Sequence, residues 1–335
     1  MLPSLAVADA LTRRGVRVTF AGAQRAEARL VREAGYPLDQ FVIEGLPRHP
    51  GAALARSLSR AAAAVPVCVK IVRRRRPDVV LGGGGYVSGP VVLAAAMLRT
   101  PTAIMEADAH LGLANRLLAP FVRRVFLAFP LAGLDDGKYR LVGRPIPARS
   151  RASDAAAARA RFHLPSDEPV VLVFGGSQGA RALNEAAVAA FAAEGPAVLH
   201  VSGEGHQEDL ARRISRPDYV LVPFVDDFGA ALAAADLVVA RAGGSVWEVA
   251  AAGKPALLVP YPHATADHQT KNARFFERGG GAVVVPEREL DLRRAVEELL
   301  EDRSRLGAMA AAMRRLARPD AADVIAEELI ALANK

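Results

Sequence analysis

Val170-Val-Leu-Val-Phe174 is a short apolar run that stops at Gly175-Gly-Ser-Gln-Gly-Ala-Arg181, and a helix-compatible stretch follows. Strand, tight turn and helix start, in that order, aim backbone N–H groups and the positive helix end at one point, which suits a phosphate. Gly175, Gly176, Ser177, Gln178 and Gly179 are the candidate contacts. The same letters fit G-x-S-x-G, the nucleophile elbow of hydrolases, with Ser177 as nucleophile, Asp226 or Asp236 as acid and His263 or His268 as base. No HGGG-like segment precedes it, and the dinucleotide fingerprint G-x-G-x-x-G is absent. A phosphate cradle is the first reading, a plain turn the second and the elbow the third.

A second cradle, Arg241-Ala-Gly-Gly-Ser245, follows the apolar run Leu237–Val239. Gly243, Gly244 and Ser245 offer more N–H groups. Glu248 falls in the first helical turn, where a carboxylate can accept two hydrogen bonds from a ribose diol or reach back to cap Ser245. The polar loop 259–272 brings His263, His268 and Gln269, side chains that can bond sugar hydroxyls or simply cap the loop. The two histidines are five apart, unlike the i, i+4 pair of a helical zinc site, and no Asp-x-Asp occurs. No metal or other cofactor is expected, and a leaving diphosphate would be stabilised by amides and helix ends. Gly82, Gly83, Gly84 and Gly85, ahead of Tyr86, carry an entropy cost that invites a reason such as close approach of a second substrate. Facing glycine cradles suggest a two-substrate, phosphate-linked reaction.

The elements that must position these turns alternate. Helices are expected at 5–14, 52–75 with a kink at Pro66, 90–98 and 113–121, and strands at 16–21, 79–81 and 103–105. After the Pro- and Arg-rich stretch 143–169, strands are expected at 170–174, 197–201, 219–222, 237–240, 256–259 and 282–285, with helices between them. Such alternation implies an α/β protein with parallel sheets covered on both faces and ligands at the strand C-termini. Two doubly wound domains are expected, residues 1–146 and 147–318, with a hinge near Gly143–Pro147 and a final helix, 319–335, returning to the first.

Composition narrows the partners. A chain of 335 residues suits two domains of roughly 150 residues each. A net charge of +7 favours anionic partners, while aromatics at only 5% argue against a base-stacking nucleic-acid surface. The single cysteine, Cys68, rules out a disulfide framework within the chain and reads as a core residue. No run approaches the roughly 20 apolar residues of a membrane span, and no signal peptide is apparent.

Gly-Gly-Tyr-Val-Ser-Gly-Pro (84–90), Gly-Gly-Ser-Gln-Gly-Ala-Arg (175–181) with Leu183-Asn184, Phe224-Val-Asp-Asp227, Arg241-Ala-Gly-Gly and His268-Gln-x-x-Asn272 occur in one order. The ordered set resembles the MurG family, UDP-N-acetylglucosamine:lipid I N-acetylglucosaminyltransferases of peptidoglycan synthesis. The resemblance implies a two-domain GT-B fold, two Rossmann-like domains facing a cleft, and metal-free inverting transfer of GlcNAc from UDP-GlcNAc to undecaprenyl-diphosphate-MurNAc-pentapeptide. It implies a peripheral protein on the cytoplasmic face of the cell membrane. Carried over by motif, Ser177 and its glycine neighbours fall at the donor diphosphate, Val225 at the uracil, Glu248 at the ribose, and His268 and Gln269 at the GlcNAc. Arg241 falls on the donor side, Asn184 in the cleft, and the 82–85 glycines with Tyr86 on the acceptor side. The basic, amphipathic segment 52–76 falls where the family meets anionic lipid.

The chain also departs from the family. A strand ending in a loop like Gly-Gly-Thr-Gly-Gly-His is expected before Met1-Leu2-Pro3, and with it the usual general base. Its absence predicts unpaired backbone in the first sheet and a misassigned start, which the upstream DNA decides. The family's His-Glu-Gln-Asn stands here as Met105-Glu-Ala-Asp108, and its Asn-Pro-x-Arg as Arg144-Pro-Ile-Pro147. Glu106, Asp108 and His110 are the remaining base candidates, Glu106 first. A GT-B enzyme with another glycolipid acceptor, or a catalytically impaired UDP-sugar-binding protein, are the alternatives.

Overall fold

Apolar runs bounded by glycine or proline become strands, and the amphipathic stretches between them become helices, in a computed structural model describing residues 1–23, 26–43, 52–134, 137–150, 154–176, 179–205 and 207–334. The chain divides into two units, Met1–Pro147 with Pro319–Lys335, and Ala148–Arg318.

The first unit runs α1 (Leu2–Arg13), β1 (Phe20–Ala23), α2 (Ala26–Glu33), β2 (Leu38–Phe41), α3 (Ala52–Arg75), β3 (Val80–Gly82), α4 (Gly85–Met97), β4 (Thr102–Glu106), α5 (Leu113–Leu118), β5 (Arg124–Leu127) and β6 (Tyr139–Leu141). All strand pairs are parallel, but they form two sheets, β1-β2 and β3-β4-β5-β6. Among the described residues, β1 pairs only with β2 and β3 only with β4. The strands β2, β5 and β6 and the helix α2 escape sequence reading. They are short, β2 reads Leu-Asp-Gln-Phe, and pairing rather than apolar pattern selects them.

α4 starts at Gly85 rather than at Pro90, which lies inside it. The glycine run is therefore no loose turn. Gly82 ends β3, Gly85 begins α4, and only Gly83-Gly84 connects them. Gly84 has φ of +89°, where a Cβ is disfavoured, and a methyl on Gly82 would sit 2.7 Å from Val92. The expected 113–121 helix breaks after Leu118 into a 3-10 turn, Ala119–Phe121, because Pro120 cannot supply the next N–H.

The second unit runs α6 (Ala155–Arg161), β7 (Val170–Phe174), α7 (Arg181–Phe191), β8 (Ala197–Val201), α8 (Gln207–Ala211), β9 (Tyr219–Val222), α9 (Phe228–Ala234), β10 (Leu237–Ala240), α10 (Val246–Ala251), β11 (Ala256–Leu258), α11 (His268–Arg278), β12 (Ala282–Val284), α12 (Leu292–Glu301) and α13 (Arg303–Leu316). Asp154, Asp227, Asp291 and Asp302 cap α6, α9, α12 and α13 by accepting a first-turn backbone N–H, each worth about 1 kcal/mol. The six parallel strands stand in the order β12-β11-β10-β7-β8-β9. Every residue of β7 and β10 is buried, as an apolar run without alternation requires of a strand covered on both faces.

α14 (Ala321–Ala333) belongs to the first unit. Its Ile325, Ala326 and Leu329 share a buried cluster with Val7, Ala10 and Leu11 of α1, and Asp323 pairs with Arg13 and Arg14 at the rim.

Candidate active site

The sheet of the second unit brings the candidate loops to one edge. The chain leaves β7 for β8 and β9 on one side, then crosses back to β10, β11 and β12 on the other. The strand order thus reverses between β7 and β10, where open α/β sheets bind ligands beyond the strand C-termini. Phe174 pairs with Ala240, Ala240 with Leu258 and Leu258 with Val284, while on the other side Phe174 pairs with Val201 and Val201 with Val222. The Gly175 and Arg241 loops start side by side at the reversal, about 4.8 Å apart as neighbouring strands are.

The Gly175 turn is built by close approach. A methyl on Gly175 would collide with Ala180, and one on Gly179 with the Ser202 carbonyl oxygen. Gly176 and Gly179 take φ of +98° and +72°, and the Gly179 N–H donates to the Gly176 carbonyl at 2.9 Å. The N-cap of α7, Ala180, has no side chain that could accept the helix's first amides, which face this turn. Ser177 and Gln178 lie outside the described residues.

In the neighbouring loop Gly243, Gly244 and Ser245 are half-buried and lead into α10, whose N-cap Ser245 makes no side-chain capping bond. Glu248 is half-buried in the first turn. Val225 is half-buried after β9, beside Phe224, which is 56% exposed. Nothing in the sequence singles out Phe224 over Val225; its exposure does.

Three donor-side candidates have duties inside the fold. Asn184 is 1% exposed; its amide nitrogen donates to the Ser202 carbonyl at 2.8 Å and its oxygen faces His200 at 3.1 Å. Arg241 is also buried; its guanidinium donates to the carbonyls of Val259 and Pro260, pairs with Glu287 and lies over the Tyr261 ring. It ties together the loops after β10, β11 and β12. Gln269 accepts the Tyr261 backbone N–H through its side-chain oxygen at 2.9 Å, leaving its NH2 as the remaining polar group. His268 donates from Nδ1 to the Thr265 carbonyl at 2.9 Å, which leaves Nε2 as the ring's remaining polar atom. His263 is exposed, its ring edge-on to Tyr261.

The hydrolase reading fails on geometry for one of its acids. Asp236 sits at the opposite sheet edge, before β10, where it pairs with Arg159 and accepts the Val170 N–H.

In the first unit, a cavity of about 210 Å³ opens at the C-terminal ends of β3, β4 and β5. Met1, Gly83, Glu106, Ala107, Ala128 and Arg144 are among its walls. Tyr86 is half-buried against the Cys68 and Ile71 cluster. Glu106 is 8% exposed. One carboxylate oxygen accepts the N–H groups of Ala107 and Asp108 at 2.9 and 3.3 Å; the other accepts those of Gly112 and the Asn115 amide at 2.8 and 2.9 Å. With its acceptor positions filled, Glu106 shapes the 107–112 loop. Asp108 and His110 lie half-buried on that loop.

Models of the glycosyltransferase family 28 N-terminal and C-terminal domains match residues 1–127 and 170–325. The chain is 43% identical over 345 residues to the UDP-N-acetylglucosamine--N-acetylmuramyl-(pentapeptide) pyrophosphoryl-undecaprenol N-acetylglucosamine transferase of Acidithiobacillus ferrooxidans, covering 100% of this chain and 95% of the relative. It is 41% identical to the protein of the same name from Salinibacter ruber, over 99% of this chain and 94% of the relative. The crystal structure of Acinetobacter baumannii MurG superposes with a TM-score of 0.77 at 28% identity, over 98% of this chain and 95% of that one. The calicheamicin glycosyltransferase CalG4, 20% identical with a TM-score of 0.73 over 99% and 95% of the two chains, shares the fold. With both family-28 halves in order, a Rossmann-like sheet in the second and near full-length identity above 40%, the chain belongs to glycosyltransferase family 28, as a GT-B protein of its MurG branch.

Proposed function

We propose that this enzyme transfers N-acetylglucosamine from UDP-GlcNAc, with inversion, to undecaprenyl-diphosphate-linked MurNAc-pentapeptide, converting lipid I to lipid II. The observation that carries the reading is the pair of glycine turns starting side by side where the strand order reverses. In this reading the Gly175–Gly179 turn, with Ser177, Gln178 and the uncapped start of α7, receives the donor diphosphate. Gly243, Gly244 and Ser245 complete the cradle, Glu248 takes the ribose diol, and Val225 with exposed Phe224 meets the uracil. The His268 Nε2 and the Gln269 NH2 are left to bond GlcNAc hydroxyls.

The first unit holds the acceptor. Gly83 and Arg144 line the cavity at the strand ends, where backbone N–H groups and a guanidinium suit a lipid diphosphate, and Gly84 and Tyr86 follow at the start of α4. The acceptor hydroxyl oxygen attacks C1 of GlcNAc, the C1–oxygen bond to UDP breaks with its electron pair leaving on UDP, and a base takes the hydroxyl proton. Asp108 and His110 are the candidates for that base.

The site of action is the anionic cytoplasmic membrane surface. Among the described residues no helix is long and apolar enough to cross a membrane. Leu113, Leu117 and Phe121, four residues apart and 47%, 53% and 58% exposed, stand among exposed Arg116 and Arg123. An apolar stripe flanked by cations suits an interface with anionic lipid. Residues 52–61 of the basic helix α3 have side chains outside the described set.

The test is UDP release from UDP-GlcNAc with and without lipid I in anionic vesicles. Release that requires lipid I and stops with another acceptor glycolipid supports the reading. Release indifferent to lipid I refutes it, and UDP-GlcNAc binding without turnover favours a sugar-nucleotide-binding protein.

A further inference from the structure

β8 carries an expense that stability does not explain. Its neighbours in the strand are Ala197, Val198, Leu199 and Val201, yet its fourth residue is His200, fully buried. Val173 and Leu221 flank it in the sheet. An apolar residue there would avoid desolvating an imidazole and would need no partners. Instead the His200 Nδ1 lies 2.9 Å from the Tyr219 hydroxyl and its Nε2 lies 3.1 Å from the Asn184 side-chain oxygen. Tyr219 and Asn184 are themselves 4% and 1% exposed.

The hydrogen-bond directions are determined. Asn184 donates its amide hydrogen to the Ser202 carbonyl at 2.8 Å, so its oxygen is the atom facing His200. That oxygen can only accept, so His200 carries its proton on Nε2. Nδ1 is then an acceptor and receives the Tyr219 O–H. Burial holds the ring neutral. All three donors point the same way: Tyr219 to His200, His200 to Asn184, Asn184 to the Ser202 carbonyl.

The end of this chain matters for the site. The Ser202 carbonyl is the atom that a methyl on Gly179 would strike. It is pinned from two further sides, since the Ser202 N–H donates to the Val222 carbonyl at 3.0 Å and the Gly203 N–H to that of Pro223 at 3.0 Å. Asn184 also holds the start of α7, its backbone N–H donating to the Ala180 carbonyl at 2.8 Å. One residue therefore joins, through its backbone, the helix start that follows the Gly175 turn and, through its side chain, the carbonyl against which Gly179 packs.

We propose that Tyr219, His200 and Asn184 form a buried positioning chain that sets Gly179 and the start of α7 for a nucleoside diphosphate. None of the three touches the ligand. This rests on the reading of the Gly175 turn as the diphosphate cradle. Fully satisfied buried networks of this kind fix one geometry, which a cradle of backbone amides needs.

The experiment titrates UDP into the full-length protein calorimetrically and measures KM separately for donor and acceptor. His200→Leu keeps volume and removes both hydrogen bonds; His200→Gln can still donate an N–H toward Asn184. The expected result is UDP affinity lowered and donor KM raised about tenfold in His200→Leu, with acceptor KM unchanged and most of the loss recovered in His200→Gln. A folded His200→Leu protein that binds UDP like wild type overturns the proposal, as does a Gln variant no better than Leu. If His200→Leu does not fold, Tyr219→Phe decides: it removes one hydroxyl, and unchanged donor KM overturns the chain. Folded wild type without affinity for UDP instead refutes the cradle itself.

Discussion

Replacing Glu106 by Gln separates a loop organiser from a general base. The carboxylate accepts from Ala107, Asp108, Gly112 and Asn115 and is 8% exposed. Gln keeps the shape but turns one oxygen into NH2. The cheaper orientation puts that NH2 against the Ala107 and Asp108 amides, since the Asp108 contact, at 3.3 Å, is the longest of the four. Both bonds on that oxygen, each about 1.5–3 kcal/mol to a charged acceptor, are lost, and the Ala107 and Asp108 N–H groups are left facing a donor. The bonds from Gly112 and Asn115 survive with a neutral acceptor. The net cost is about 3–6 kcal/mol in the first unit. At roughly 2–4 °C per kcal/mol for a domain of this size, its calorimetric melting temperature should fall by about 6–24 °C. The acid limb of the pH–rate profile should remain, because the titrating base is still present. A variant that melts like wild type, loses activity a hundredfold or more and loses the acid limb would refute the organiser role and restore Glu106 as base.

Gly179→Ala forces a left-handed φ on a residue with Cβ and drives that Cβ into the Ser202 carbonyl; the conformation alone costs about 1–2 kcal/mol. UDP affinity measured by calorimetry should fall by more than the factor seen for His200→Leu. His200, pushed down to about 4 by burial, gives stability that is complete above its ordinary value near 6.5, about where the unfolded chain begins to take up the proton. That contribution drains at about 1.4 kcal/mol per pH unit as pH falls toward 4. Chemical denaturation of His200→Leu between those pH values should show a flatter dependence. Asp39 is held below the usual carboxylate range by its hydrogen bond to Arg75, against an opposing effect of burial, with Arg74 adding a smaller attraction. Its contribution is present above the ordinary carboxylate value and is lost as pH falls through the depressed one. Asp39→Asn should unfold more easily at pH 7 and lose less stability than wild type on acidification, read from denaturant midpoints.

The second unit was open to reading because its strands are buried on both faces. Each is a bare apolar run, as in Val170–Phe174 or Leu237–Ala240, and the run ends mark the ligand edge. The first unit was less so. β2 alternates no apolar residues, β5 begins at an arginine, and α4 absorbs two residues, Gly85 and Pro90, that normally interrupt helices. Which loops gather at one edge follows from strand order, and spacing suggested it. What individual polar side chains do there does not. Asn184, Arg241 and Glu106 carry the right chemistry for substrate, yet each finds its partners within the protein, at groups distant in sequence for the first two. Only the packed structure reveals that commitment. His200, inside a strand of apolar neighbours, gave no signal at all until its partners were seen.

The central claim is the transfer itself, and one measurement meets it directly. Radiolabelled UDP-GlcNAc and lipid I in anionic vesicles are incubated with the full-length protein, and the lipid product is isolated and its new linkage read by NMR. The account predicts one labelled GlcNAc per muramyl lipid, joined with the anomeric configuration opposite to that in the donor, and one UDP released for each. Label that stays in UDP-GlcNAc, or a product retaining the donor's configuration, would contradict it.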